Sequence, residues 1–161
     1  MPLISYNYAS DNIKRMKHTL TFAAKISVTG LVLVSIAYSF FAGDLITMFM
    51  DNPEIVEMGS RFLRGFCLGL PFLCVDFLAV GVFQASGLGR NALVFAILRK
   101  IILEIPALFI LNYFFPLYGL AYAQFTAELV LSIAAVIILV KLFRKLELEK
   151  ADRDAQKAQK A

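Results

Sequence analysis

Polar residues in this chain are gathered into a few short blocks, and long apolar runs separate them. Four runs are long enough to cross a hydrocarbon core of roughly 30 Å, which takes about 20 helical residues. They extend from Leu20 to Phe41, Gly65 to Phe83, Ala92 to Phe115 and Gly119 to Val140. Each is far too long for a strand, and an open sheet cannot leave unpaired edges in lipid. The pattern predicts an all-α fold: a polytopic transmembrane helix bundle with four membrane-spanning helices in residues 1–146, then a polar cytoplasmic tail, 147–161, that is a frayed helix or disordered.

Composition strengthens this reading. Of 161 residues, 60% are hydrophobic and 17% charged, where a soluble domain carries about 25% charged residues, and the mean hydropathy is +0.74. An ordinary water-soluble globule is ruled out. Two cysteines and one histidine leave almost nothing for a disulfide framework or a transition-metal site, so no metal and no cofactor is expected.

The net charge of +4 suggests nucleic acid only until its distribution is read. Fourteen of the Lys and Arg residues fall beside the two termini and the Gln84 to Asn91 connection, against Arg61 and Arg64 on the other side. This asymmetry places both termini in the cytoplasm and predicts no nucleic-acid partner. The Gly43 to Ser60 loop, with Asp44, Asp51, Glu54 and Glu57, is then outside. Tyr38, Phe40, Phe41, Tyr113, Phe114, Phe115, Tyr118 and Tyr122 gather at the outer ends of the spans, as an aromatic belt does.

Local signals set the helix ends. Ser10, Asp11 and Asn12 offer caps for a helix beginning at Ile13, and Asn52 before Pro53 is a strong helix start. The first span, preceded by His18 and Thr19 and lacking a small-residue cleavage site, is not read as a signal peptide. A tight turn is expected around Pro116 to Tyr118. Pro71 and Pro106 lie inside spans and free backbone carbonyls there. Gly87, Gly89 and Ala92 loosely match a dinucleotide fingerprint, but that motif needs a preceding strand, so a tight cytoplasmic turn is expected instead. Cys67 and Cys74, about 10 Å apart along one helix, are packing residues, and His18 is a headgroup contact.

The candidate chemistry lies in three carboxylates within the spans: Asp76, Glu104 and Glu128. A charge near the bilayer midplane costs roughly 3 kcal/mol, so each must face protein or water, be paired, or be protonated. Lys100, four residues before Glu104, shares its helical face, and Arg99 adjoins it, making these two the possible counter-charges. Asp76 and Glu128 have no obvious partner. They, together with Glu104, are candidates for proton or cation coupling; otherwise the carboxylates are held by interhelical hydrogen bonds to Asn112, Gln124 or Thr126. Arg64 and Lys25 are expected to snorkel. No nucleophile and base arrangement can be assembled, so an enzyme is not expected.

Three stretches resemble one family, the multidrug and toxic compound extrusion (MATE) transporters in their bacterial branch. Pro2-Leu3-Ile4-Ser5-Tyr6-Asn7-Tyr8-Ala9, followed by Asn12 and Lys14-Arg15, resembles the loop before the family's ninth helix. Phe62-Leu63-Arg64, Leu70-Pro71-Phe72 and Phe83-Gln84-Ala85 through Gly87-Leu88-Gly89 are similar to its tenth helix and following loop. Leu98-Arg99, Ile105-Pro106, Gly119 and Ala121 resemble the starts of helices eleven and twelve. The resemblance implies part of the C-terminal lobe of a twelve-helix antiporter that exports bulky, often cationic drugs in exchange for Na⁺ or H⁺. It also implies a coupling-cation role for Asp76 and an acidic last-helix position at Glu128.

Met1 stands where the pattern usually has glutamine, so the chain is expected to be a fragment or truncated gene product, inactive alone. Its expected partners are the lipid bilayer, small cationic organic molecules and the missing N-terminal helices or a complementary polypeptide. Its expected location is the bacterial inner membrane. The alternatives are part of a lipid-linked oligosaccharide flippase of the same superfamily and a small four-helix accessory membrane protein.

Overall fold

The computed structural model describes residues 1–115 and 118–160. Its elements are α1 (Pro2–Ala9), α2 (Ile13–Phe40), α3 (Ala42–Thr47), α4 (Pro53–Cys67), α5 (Leu70–Ala85), α6 (Gly89–Ile97), a π-helical segment (Leu98–Glu104), α7 (Ile105–Phe114) and α8 (Tyr118–Lys160). No strand occurs among the described residues. Helices long and apolar enough to cross a membrane run over Ile13–Phe40, Pro53–Ala85 and Gly119–Gln159. The remaining expected span, Ala92 to Phe115, is helical rather than extended, but it is divided among α6, the π segment and α7.

The helix starts follow local chemistry. Asn12 Oδ1 accepts the Arg15 N–H at 3.2 Å and α2 begins at Ile13. Asn52 Oδ1 accepts the Glu54 N–H at 3.0 Å, with Pro53 in the first turn of α4. Both satisfy a donor that a helix N-terminus leaves without an intrahelical partner. Pro71 and Pro106 each stand in the first turn of a new helical piece. Neither has an N–H to close the turn before it, so α4 gives way to α5 at Leu68 and Gly69, and the register widens into the π segment ahead of α7. The turn after α5 is helix-terminal, not nucleotide-binding. Gly87 takes φ +73° and the Leu88 N–H reaches back to the Phe83 carbonyl at 2.8 Å, as in a Schellman cap. The turn expected at Pro116 and Leu117 lies outside the described residues.

The first and last spans bracket the others. α8 packs on α5, α7 and α4, while α2 packs on α5 and α4. Two apolar clusters form the core. One joins Ile4, Ile13, Met16, Leu20, Val82 and Phe143; the other joins Ala79, Phe83, Ala92, Phe95, Leu131 and Ala135. Both lie toward the basic end of the bundle, where α1, the Gly87 turn and the later part of α8 meet. At the acidic end, α4 approaches α8 through glycine: a Cβ on Gly65 would stand 3.0 Å from the Ala121 Cβ, and one on Gly69 3.6 Å from the Phe125 Cα. Such small-residue contacts are how membrane helices come close without a hydrophobic drive between them. Phe40, Phe41, Tyr113, Phe114 and Phe115 are exposed there, as an interfacial belt requires.

The segment after Lys145 is helical through Lys160 rather than disordered. Its first turns are tied to the α1–α2 corner: Lys150 Nζ donates to the Asp11 carbonyl at 2.7 Å, and Arg153 pairs with the Asp11 carboxylate at 2.7 Å. Leu146 packs on the first core cluster. Composition alone did not reveal that this polar helix has a surface to lie against.

Candidate functional site

Three elements bring ionisable side chains to one level of the bundle. Asp76 comes from α5, Arg99, Lys100 and Glu104 from the π segment, and Glu128 from α8. Asp76 is 0% exposed and Glu128 1%, so whatever neutralises them must come from the protein or from a bound ion. Glu128 Oε1 accepts from Arg99 Nη2 at 2.8 Å and from Gln124 Nε2 at 2.7 Å. Glu128, for which the sequence offered no obvious ionic partner, thus meets Arg99, one of the two possible counter-charges, and Gln124, one of the amides considered for it. Arg99 lies 29 residues away, on a different helix, where helical spacing gives no hint of it.

The Arg99 guanidinium also lies 5.1 Å from the centre of the Phe77 ring, within cation–π range. Its planar fork is suited to a carboxylate on one edge and an aromatic face beneath. Lys100 pairs with Glu104 on the same helical face, as their spacing predicted. Lys100 is largely exposed whereas Glu104 is buried, so the pair points from the interior toward the periphery.

Asp76 differs from both. Its carboxyl faces that of Glu128 within hydrogen-bonding reach and feels the Arg99 charge, yet no N–H or O–H donor meets either of its oxygens among the described residues. Two carboxylates facing each other are both acceptors. They form a hydrogen bond only when one proton lies between them, and they repel when both are ionised. One Glu104 oxygen, one Glu128 oxygen and the Arg99 Nε likewise find no hydrogen-bond partner. Three carboxylates stand against two cations, so a fully ionised cluster carries one net negative charge.

Of the amide and hydroxyl partners considered for the carboxylates, Gln124 serves Glu128, whereas Thr126 donates to the Tyr122 carbonyl of its own helix. Arg64 Nε donates to the Ser39 carbonyl at 3.1 Å, at the end of α2. Cys67 and Cys74 are free thiols. No group of three or more His, Cys, Asp or Glu side chains arranged to hold a metal occurs among the described residues. Sequence reasoning missed the π segment, which sets Arg99 toward Glu128. The nearest signal was Pro106, whose place inside a span marks a break without saying which side chain the break redirects.

A family model described as MatE matches residues 1–114. Curated relatives include the multidrug export protein MepA of Staphylococcus saprophyticus, 33% identical over 153 residues, which are 94% of this chain and 33% of that protein. MepA of Staphylococcus haemolyticus is likewise 33% identical, over 152 residues and the same shares. The chain thus spans about a third of the length of the curated relatives it matches. The bent form of the Vibrio cholerae MATE transporter VcmN superposes with a TM-score of 0.84 at 21% identity, covering 91% of this chain and 34% of that one. The inward-facing conformation of a multidrug resistance MATE family transporter of the MOP superfamily gives 0.85 at 17% identity, covering 90% and 34%. At such identities the superpositions speak for the fold, which is a partial lobe of a larger transporter, while the family model covers more than half of the sequence. The chain belongs to the MatE family.

Proposed function

We propose that the chain forms four helices of the C-terminal lobe of a cation-coupled multidrug efflux antiporter, with Asp76 and Glu128 as the coupling pair. One observation carries this reading: two buried carboxyls face each other, and among the described residues the cation in direct contact with either is Arg99 on Glu128. The surplus negative charge is expensive away from water, and either H⁺ or Na⁺ relieves it. A site that exchanges one bound cation for another while the cargo's affinity differs between two states is what coupling requires. An excess of carboxylates suits small cationic organic cargo and disfavours a polyanionic lipid-linked oligosaccharide. The similarity to multidrug export proteins points the same way.

The chain spans a third of its relatives' length, so this reading assigns activity to the assembled transporter and not to these helices alone. A substrate cavity in such proteins forms between structural repeats, and the rest of the fold supplies the other wall. The bacterial inner membrane, with both termini cytoplasmic, is the location that agrees with the charge asymmetry. The reaction is transport, not enzymatic turnover.

The test is efflux of a cationic dye by vesicles containing the complete twelve-helix assembly, normalised to membrane abundance, with Asp76→Asn and Glu128→Gln. Loss of the pH or Na⁺ dependence, with insertion retained, is expected for both. Unchanged ion dependence in both variants would remove these carboxyls as coupling groups and leave them as packing and hydrogen-bonding residues.

A further inference from the structure

A cavity of about 630 Å³ lies between α2, α5 and α8 at the basic end, and Asp76 is not among its lining residues. Its walls are apolar: Leu20 and Ala24 from α2, Val75 and Leu78 from α5, Val136 and Phe143 from α8. From Lys17 to Ala24 the slot follows α2 for ~10 Å, and from Val136 to Glu147 it follows α8 for ~16 Å. The polar lining is concentrated where these helices reach the basic end, as Lys17, Arg144 and Glu147. Lys17 and Glu147 pair loosely at 3.6 Å, both about half exposed, and Arg144 has no carboxylate partner among the described residues. The mouth therefore keeps one net positive charge at the level where Lys14, Arg15, Lys141 and Lys145 also stand. A long apolar slot ending in an uncompensated guanidinium is complementary to an amphiphile with a hydrocarbon tail and an anionic head.

We propose that this slot is a binding site for one anionic phospholipid, an acyl chain lying between α2 and α8 and the phosphate held by Arg144 together with Lys17. The inference does not rest on the coupling role of Asp76 and Glu128. A cationic cargo molecule would be repelled at this mouth.

The test uses the full 161-residue chain in phosphatidylcholine nanodiscs containing a trace of phosphatidylglycerol with a photoreactive group midway along one acyl chain. Adducts are mapped by mass spectrometry and competed with unlabelled lipid. Adducts concentrated on 20–24 and 136–140, displaced by phosphatidylglycerol and not by phosphatidylcholine, are expected. Arg144→Gln should weaken competition about fivefold, and Lys17→Gln with Arg144→Gln roughly thirtyfold, since each surface cation contributes a comparable attraction to an anionic headgroup.

Glu147→Gln should strengthen competition about fivefold by the same reasoning. This sign reversal is one that a general loss of structure would not produce. All three side chains are exposed, so helix content measured by circular dichroism should stay constant. Equal competition by the two lipids, adducts spread evenly over the helices, or indifference to all three substitutions would overturn the proposal. So would disappearance of the adducts in the complete transporter, which would show the slot to be a seat for another helix.

Discussion

The two ends of the bundle are held together by different means. On α5 the core residues Ala79, Val82 and Phe83 follow Asp76; on α6 Ala92 and Phe95 precede Arg99; on α8 Leu131 and Ala135 follow Glu128. In each helix the large packed side chains thus lie on the basic side of the ionic residue. Toward the acidic end the buried positions are small: Gly65, Cys67, Gly69, Ala121 and Ala123. One half is a filled core, the other a close approach of backbones, and the charged layer separates them. The difference teaches where this lobe is able to move. Interlocked aromatic side chains resist sliding, and α5 and α8 keep one such pair on the acidic side too, Phe72 edge-on to Phe125 at 5.8 Å, whereas α4 and α8, touching through glycine and alanine, have less to disengage.

The largest effect should come from the charged layer itself. Arg99→Met strands two facing carboxylates, and removing one partner of a buried pair costs about 3–5 kcal/mol. Reversible unfolding of the chain in detergent micelles measures it. Adding Glu128→Leu should return most of that loss, and no recovery in the double variant would mean that the pair is not the source of the cost. Phe83→Ala in the packed half should cost about 3 kcal/mol, since Phe83 is 2% exposed and meets Phe95 edge-on with ring centres 6.0 Å apart. A loss as small as that of Leu120→Ala, an exposed position, would erase the distinction between the halves.

Gly87→Ala forces a Cβ into a left-handed backbone and should cost roughly 1–2 kcal/mol, although open space surrounds the position. Smallest of all, Arg153→Gln should change global stability by less than about 1 kcal/mol, as exposed ion pairs do. It should nevertheless speed hydrogen exchange in the last turns of α8, and an unchanged exchange pattern would show that the Asp11 contact does not hold the tail.

What was legible in the sequence was local. Caps at Asn12 and Asn52, the Gly87 turn and the Lys100–Glu104 pair each depend on residues within about one helical turn, so spacing suffices to find them. The charged layer was legible as a set of residues but not as a network. Adjacent residues such as Arg99 and Lys100 point about 100° apart on an α-helix, and the widened π register changes which of them faces α8. Glycine at 65 and 69 gave no sign that α8 approaches there, because absence of a side chain marks a close contact only once the partner is known. The polar tail looked unable to dock because its partner, the α1–α2 corner, lies some 140 residues away in the chain, as the Asp11 bonds to Lys150 and Arg153 show.

α8 has a mechanical consequence. Its 43 residues make a rod of about 64 Å, twice the hydrocarbon thickness of a bilayer, and the part beyond Lys141 is an arm of about 30 Å. Glu128 lies within the rod and Lys150 and Arg153 on the arm. A tilt of about 10° pivoting at the level of Lys141 displaces the far tip by about 5 Å. The helix is a rocker: the same tilt carries Glu128, about 20 Å from that pivot, by about 3 Å one way, and Lys150 and Arg153, about 14 and 18 Å from it, by about 2–3 Å the other way, enough to make or break the contacts of Asp11.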